Sequence, residues 1–536
     1  MSSKPLLEPR NMSGKWMLLS AVLICTGMGL HFGLANSAQA AAPIDIGSRR
    51  ELFVDDFLID HLSGGAGLRL HHPEIREIVL VLDAPWEGSG SSGYHSVFRD
   101  GDLYRMYYKG WQIEFDTKQK KIRPAVSTMC YAESTDGIHW KKPSLGLIEY
   151  KGSKANNIVL MDGVIEGRKI VAGLTGIIKD ENPAASPNAR FKAFTVTTQP
   201  QPKGMLPLQS ADGLHWVPMT DKPVITNGAF DNQNLAFWSP SERRYRAYWR
   251  WFAHGDNNTA TSNPIGLRAI RTATSADFIH WENEADVTYV DSPEEALYTT
   301  PIVPYARAPH ILIGFPMRYI ERDVPTSQAE LPEPEHRALR KSINPRYGTA
   351  ITEALFMASR DGVRFKRWNE AFLRPGIERP GTWNYGQQAL SWPPVETKSA
   401  LEGAPNELSF YAPESYWTGN SSEVRRYTLR LDGFVSVQAP MNGGELLTKP
   451  VRFTGRELSL NFSSSAAGDV RVEIQDLEGR PMPGYSLEEC PPIFGDTIDR
   501  TVVWRGGKDV GRLAGKPVRL RFVLRDADVF SFKFQE

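Results

Sequence analysis

Three carboxylates stand where strands rich in aromatic residues begin or end: Asp231, Glu353 and Glu414. Two carboxyl groups flanking one bond, one protonated and one ionised, are what glycoside hydrolysis requires. Aromatic neighbours raise a carboxyl pKa, so Glu353 or Glu414 is expected as the acid and Asp231 as base or nucleophile. Glu87 and the pair Asp55-Asp56 stand behind them. Cations recur at matching places. Lys109, Arg250 and Arg318 end aromatic strands, and Arg268 begins one, which points to an anionic group such as a uronate, a sulfate or a phosphate. His95, Asn234, Tyr385 and Gln387, with Glu87, complete the expected substrate-binding set. Trp86, Trp111, Trp251, Tyr319, Tyr416 and Trp417 offer faces on which the C–H surfaces of a sugar stack.

These residues need a scaffold that gathers strand ends. Ser134-Thr135-Asp136-Gly137-Ile138-His139-Trp140 recurs as Ser210-Ala211-Asp212-Gly213-Leu214-His215-Trp216 and as Ser275-Ala276-Asp277-Phe278-Ile279-His280-Trp281. Weaker copies are Ser359-Arg360-Asp361-Gly362 and Asp432-Gly433-Phe434. Asp caps such a turn, and Gly supplies the positive φ of a hairpin loop. A second hairpin precedes each turn, most clearly Ser96-Val97-Phe98 with Leu103-Tyr104-Arg105-Met106-Tyr107-Tyr108. Two hairpins make four strands, and five such units predict a five-bladed β-propeller. In that topology the five Asp turns lie on one face. Tyr94, His95, Asp231, Gln233, Asn234, Tyr385, Gln387 and Gln388 then lie at the starts of inner strands on the other face, with Lys109, Arg250, Arg318 and Glu414 at strand ends beside them. Residues 50–59 are expected to pack on the last blade or help close the ring.

After residue 427 the repeat stops. Val470-Arg471-Val472-Glu473-Ile474 and Val518-Arg519-Leu520-Arg521-Phe522 alternate apolar with charged, as half-buried antiparallel strands do. The reading is an all-β chain: a signal peptide over 1–40, a five-bladed β-propeller over 44–427 and a C-terminal β-sandwich over 428–536. The leader has a basic start (Lys4, Arg10, Lys15), an uncharged apolar run over 17–32 and Ala38-Gln39-Ala40 as cleavage pattern, so a secreted or periplasmic location is expected, with no membrane attachment after cleavage.

Composition excludes some classes. The 536 residues carry 62 Lys+Arg against 62 Asp+Glu, which argues against a nucleic-acid partner. Only Cys130 and Cys490 lie beyond the leader, and both read as buried thiols. No His or Cys spacing suits zinc, so no metal site and no cofactor is expected, with calcium in a polar channel left open.

The blades, the appended sandwich, the Ser-x-Asp-Gly-x-x-Trp turns and the segment Gly93-Tyr94-His95-Ser96-Val97-Phe98-Arg99-Asp100-Gly101-Asp102-Leu103-Tyr104 together resemble the five-bladed glycoside hydrolases of families 32, 43, 62, 68, 117 and 130. The order of the parts is most similar to family 32. The resemblance implies a divergent glycosidase acting on a poly- or oligosaccharide. Those enzymes carry a carboxylate at the start of the first inner strand, usually in Asp-Pro, whereas Tyr94-His95 stands here. Glu489-Cys490-Pro491 matches a family 32 motif but falls in the expected sandwich. The alternatives are a non-catalytic glycan-binding propeller, a phosphate-dependent glycoside phosphorylase and a partner-binding propeller.

Overall fold

The computed structural model describes residues 42–88, 93–116, 118–119, 121–255, 257, 266–322, 326–416 and 423–536, with backbone only at 112–115 and 121–125. The expected leader and Trp417 lie outside the described residues. Five sheets form the five blades, antiparallel throughout except where Thr288–Val290 joins blade four parallel to Arg364–Arg367. Blade one is Ser96–Asp100, Leu103–Asp116, Lys121–Ser134 and Ile158–Met161. Blade two is built on Arg168–Lys179, Phe191–Gln199 and Gly204–Ser210. Blade three is Leu235–Ser239, Arg244–Ala253, Leu267–Ser275 and Trp281–Asp286. Blade four contains Ile302–Tyr305, Ala308–Gly314, Met357–Ser359 and Arg364–Arg367. Its middle strands are prolonged by the hairpin Met317–Glu321 with Ala350–Ala354. Blade five is Val395–Thr397, Glu407–Glu414 and Glu423–Arg430.

Blades stack face to face, so their middle strands are buried on both sides. That is why Met106, Tyr107 and Tyr108, or Tyr248 and Trp249, are apolar without alternation and fully buried.

The ring closes differently from expectation. The fourth strand of blade five is Glu74–Val81, antiparallel to Glu423–Arg430. Residues 50–59 add no strand to the last blade: they pair with strands of the C-terminal part and bridge it to the propeller core. Glu51–Leu52 pairs with Arg519–Gln535, and Ile59–Gly64 pairs with Gly444–Thr448. The physical reason is burial of Leu52, Phe53, Val54 and Leu58, each at most 1% exposed. Phe53 and Leu58 belong to the core built on the long strands Glu457–Gln475 and Arg519–Gln535, and Leu52 and Val54 to the core of the propeller. On the latter, Leu520, Phe522 and Leu524 face inward and Arg519, Arg521 and Arg525 outward, as the alternation required.

Four of the five Asp turns cap as their chemistry dictates. Asp136 Oδ1 accepts from the backbone N–H groups of Ile138 and His139 at 2.8 Å each, and Ser134 Oγ accepts from Gly137 N at 2.9 Å. The same bonds recur at Asp212, Asp277 and Asp361. Gly137, Gly213 and Gly362 have φ of 75°, 81° and 78°, but Phe278 holds φ of 71° at the same place. Its ring stacks on Phe194 at 4.8 Å, which offsets the left-handed backbone. The fifth turn corrects the expectation. Asp432 is fully buried and accepts from Tyr305 Oη (2.7 Å) and Ser531 Oγ (2.8 Å), with Arg307 and Arg50 at 2.8 and 3.1 Å. It bolts blade four to the C-terminal core, because the chain leaves the propeller at that point.

Cys130 and Cys490 are buried free thiols. Among the described residues, the longest helix is Pro334–Ile343, inserted between the middle strands of blade four.

Candidate functional site

The loops joining successive blades and those joining second to third strands open on the face opposite the Asp turns. Asp231 lies in the loop entering blade three and is 75% exposed. Arg250, within that blade's second strand, Arg244–Ala253, is buried. Its Nε donates to Ala229 O at 3.0 Å, and its Nη2 lies 3.5 Å from Asp231 Oδ2. Lys109 lies in the middle of blade one's second strand, Leu103–Asp116, and not at its end as expected. Its Nζ stands 4.1 Å from the Trp111 ring centre and 5.6 Å from that of Tyr94. Burial pulls its pKa down to about 8, against the raising fields of Asp231 and Asp162. Lys203, from the turn after blade two's second strand, is half-buried. Burial lowers its pKa, Asp231 raises it and Arg250 lowers it further. Three cations from three blades therefore share the field of one exposed carboxylate.

Beside them is a group of tyrosines. Tyr298 packs against Tyr319 (6.0 Å, stacked) and against Tyr385 (5.9 Å, edge-on), and Tyr385 meets Tyr416 and Tyr347 at 6.2 and 6.4 Å. Arg268 lies 4.1 Å over the Tyr319 ring, and Arg250 lies 5.4 Å from the Tyr298 ring. Tyr94, under Lys109, adopts φ of 59°, and Gln388 and Ser415 are also left-handed at 61° and 55°. Such backbone is costly for residues with side chains and persists only where surroundings hold it.

Several expected site residues are committed elsewhere. Glu414 is buried and bound by Arg379 and by Arg425 (2.6 Å). Burial works to raise its pKa, but the hydrogen bonds from Arg425 and Arg379 outweigh it, so the group is held below the usual carboxylate range. This overturns the expectation of Glu414 as a protonated acid: the sequence shows aromatic neighbours and hides the two guanidinium groups. Glu353 pairs across its hairpin with Arg318 (Nε to Oε1 2.9 Å), which also reaches Glu295 at 3.0 Å. Arg318 is thus neutralised between two acids. Glu87 is buried and accepts from Tyr108 Oη (2.5 Å), Lys142 Nζ (2.7 Å) and Ala84 N (2.9 Å), tying the loop before blade one to its flank. Asp55 pairs with Arg360.

His95 is fully buried, its ring nitrogens have no hydrogen-bond partner among the described residues, and burial pulls its pKa down to about 3. Complete burial leaves its ring no exposed surface for the substrate contact expected. Asn234 donates to Phe230 O and Asn232 O, and Gln387 accepts from Asn384 N, so both shape loops from within. Trp86 donates to Asn157, and Trp251 is covered by Arg271 at 3.4 Å, so neither joins the tyrosines. The residues missed are Tyr298, Tyr347 and Lys203. They lie in connections outside the repeat; the one available signal is that Tyr298, like Tyr94, shortly precedes an inner strand.

No family model matches the chain and no curated protein matches it. Solved structures with a similar chain course include a glycosyl hydrolase from Bacteroides ovatus, at 13% identity and a TM-score of 0.37 over 67% of this chain and 94% of that one. A fructofuranosidase from Schwanniomyces occidentalis aligns at 11% identity and 0.35 over 86% and 97%. An N-acetylgalactosamine deacetylase from F. plautii aligns at 12% and 0.37 over 71% and 95%. The functional reading rests on this chain's own side chains.

Proposed function

We propose that the propeller entrance binds a carbohydrate bearing an anionic group, outside the cytoplasm after cleavage near residue 40. The observation that carries the reading is the convergence of Lys109, Lys203 and Arg250 on Asp231, beside the tyrosines around Tyr385. Tyrosine faces suit the C–H surfaces of a pyranose, and buried cations suit a carboxylate or sulfate. Asp231 is the carboxylate left exposed there to accept sugar hydroxyls.

The test is calorimetric titration with neutral, uronate-containing and sulfated oligosaccharides of equal length. Anionic members should bind at least ~10-fold tighter, a difference of about 1.4 kcal/mol. Lys109→Met with Arg250→Met should abolish that preference. Equal affinity for neutral and anionic sugars would overturn the reading. N-terminal sequencing of the exported chain checks the cleavage site.

A hydrolytic reading is supported by Asp231, whose exposure leaves it accessible to a glycosidic bond. It needs a second carboxylate, and Glu353 and Glu414 are each bound to arginine. Asp231→Asn should abolish sugar release if hydrolysis is the activity. Dependence of turnover on inorganic phosphate would mark a phosphorylase instead.

A further inference from the structure

We propose that the entrance cleaves 4-linked uronate polymers by β-elimination, with Lys109 as the base and Arg250 holding the uronate carboxylate. The proposal rests on the anionic-carbohydrate reading above and assigns its chemistry.

Elimination needs no carboxylate pair. It needs a cation against the uronate carboxylate, which acidifies the neighbouring C5–H, and a base beside that proton. The entrance holds both. Arg250 is anchored through Nε, and its Nη2 meets Asp231 only at 3.5 Å, an ion pair loose enough for an incoming carboxylate to take the guanidinium face. Lys109 is buried against two aromatic rings. Its path is set by Gly173 of blade two: a Cβ there would stand 2.9 Å from Lys109 Cγ and 3.0 Å from Cε. An amine so enclosed, with its pKa brought down to about 8, is in part neutral near neutral pH and able to take a proton. Of the carboxylates expected to serve hydrolysis, Glu353 and Glu414 are meanwhile bound to arginine.

The step balances within the substrate and one side chain. Lys109 Nζ takes the C5 proton, the C5–H pair becomes the C4–C5 double bond, and the C4–O4 bond breaks with its pair on oxygen. The Lys109 ammonium then returns a proton to that oxygen. No water is consumed, and one product ends in an unsaturated uronate.

The experiment incubates the full chain with polygalacturonate, polymannuronate and hyaluronan, and with their carboxyl-reduced forms. Ultraviolet absorbance of the conjugated double bond, reducing ends and binding are followed together. The expected result is absorbance rising in step with reducing ends on at least one charged polymer and on none of the reduced forms. Lys109→Arg keeps the charge but offers no neutral base. It should keep affinity within a few-fold and lose at least ~100-fold in elimination rate. Lys109→Met, its folding checked by thermal melting, should lose both. Reducing ends without absorbance, or binding without cleavage of any polymer, would overturn elimination and leave the binding reading standing. Full activity in a folded Lys109→Arg would also overturn it. Absence of binding to all three would overturn the reading beneath.

Discussion

Gly173 lacks a side chain where Lys109 crosses from blade one toward the entrance: a Cβ at that position would meet Lys109 Cγ at 2.9 Å, and Ser127 Cβ at 3.0 Å. A glycine on one blade therefore sets the course of a cation on the next. The backbone of Gly173 is not left-handed, so an alanine suits the strand's backbone, and its Cβ must displace the lysine and press on Ser127 Cβ.

Gly173→Ala should therefore leave the fold intact and weaken binding of a uronate oligosaccharide by about 10-fold, or ~1.4 kcal/mol. Calorimetric titration alongside a thermal melt checks this. Unchanged affinity would show that the trough does not position Lys109.

Glu414 is held ionised by Arg379 and Arg425, so its replacement is a matter of stability. Glu414→Gln removes the charge between two guanidinium groups. The expected loss is of order 3 kcal/mol in chemical denaturation. With Arg379 partly exposed, the lower end is expected. Loss of turnover at unchanged stability would restore Glu414 to the chemistry.

His95 makes stability depend on pH. Its folded pKa of about 3 lies below the ordinary 6.5, so the unfolded chain binds more protons between those values. The stability contributed by burying the neutral ring is complete above pH 6.5 and falls with pH until about 3, at roughly 1.4 kcal/mol per pH unit. His95→Leu should flatten that limb. Denaturation midpoints at pH 7 and pH 4.5, compared for the two proteins, decide it.

Phe278 holds a positive φ where the related turns have glycine, and its ring stacks on Phe194 and lies 5.7 Å from Trp281, edge-on. Phe278→Gly relieves the backbone and deletes the ring. Core truncation of a Phe costs about 3–5 kcal/mol, against about 1 kcal/mol of relieved strain, so the variant should be net destabilised by ~2–4 kcal/mol. A variant as stable as the parent would show that the ring contributes nothing.

Asp432 is buried between Arg50 and Arg307 and bonded to Tyr305 and Ser531. Burial works to raise its pKa, and the two arginines with the hydrogen bonds of Arg307 and Tyr305 lower it overall. Asp432→Asn should cost of order 3 kcal/mol. Limited proteolysis should then cut more readily near residue 432, where the chain leaves the propeller.

What depends on local chemistry is legible in the residues alone. The Ser-x-Asp turns are legible because one side chain caps backbone within three residues, and the strands between them because blade stacking demands apolar runs. The sequence also placed Lys109, Arg250 and Asp231 on one face, since strand polarity in a propeller converts position into side. Which charges are already paired emerges from the folded chain. Arg379 and Arg425 reach Glu414 from a loop and from the neighbouring strand, and Arg318 reaches Glu353 across a hairpin. Only the fold likewise assigned Glu74–Val81 to the last blade and residues 50–59 to the junction of the propeller and C-terminal cores, because ring closure and core burial join segments hundreds of residues apart. Neutralisation of a buried charge is a long-range event with no local signature. A carboxylate able to react and one already bound to arginine therefore look alike until the chain is folded.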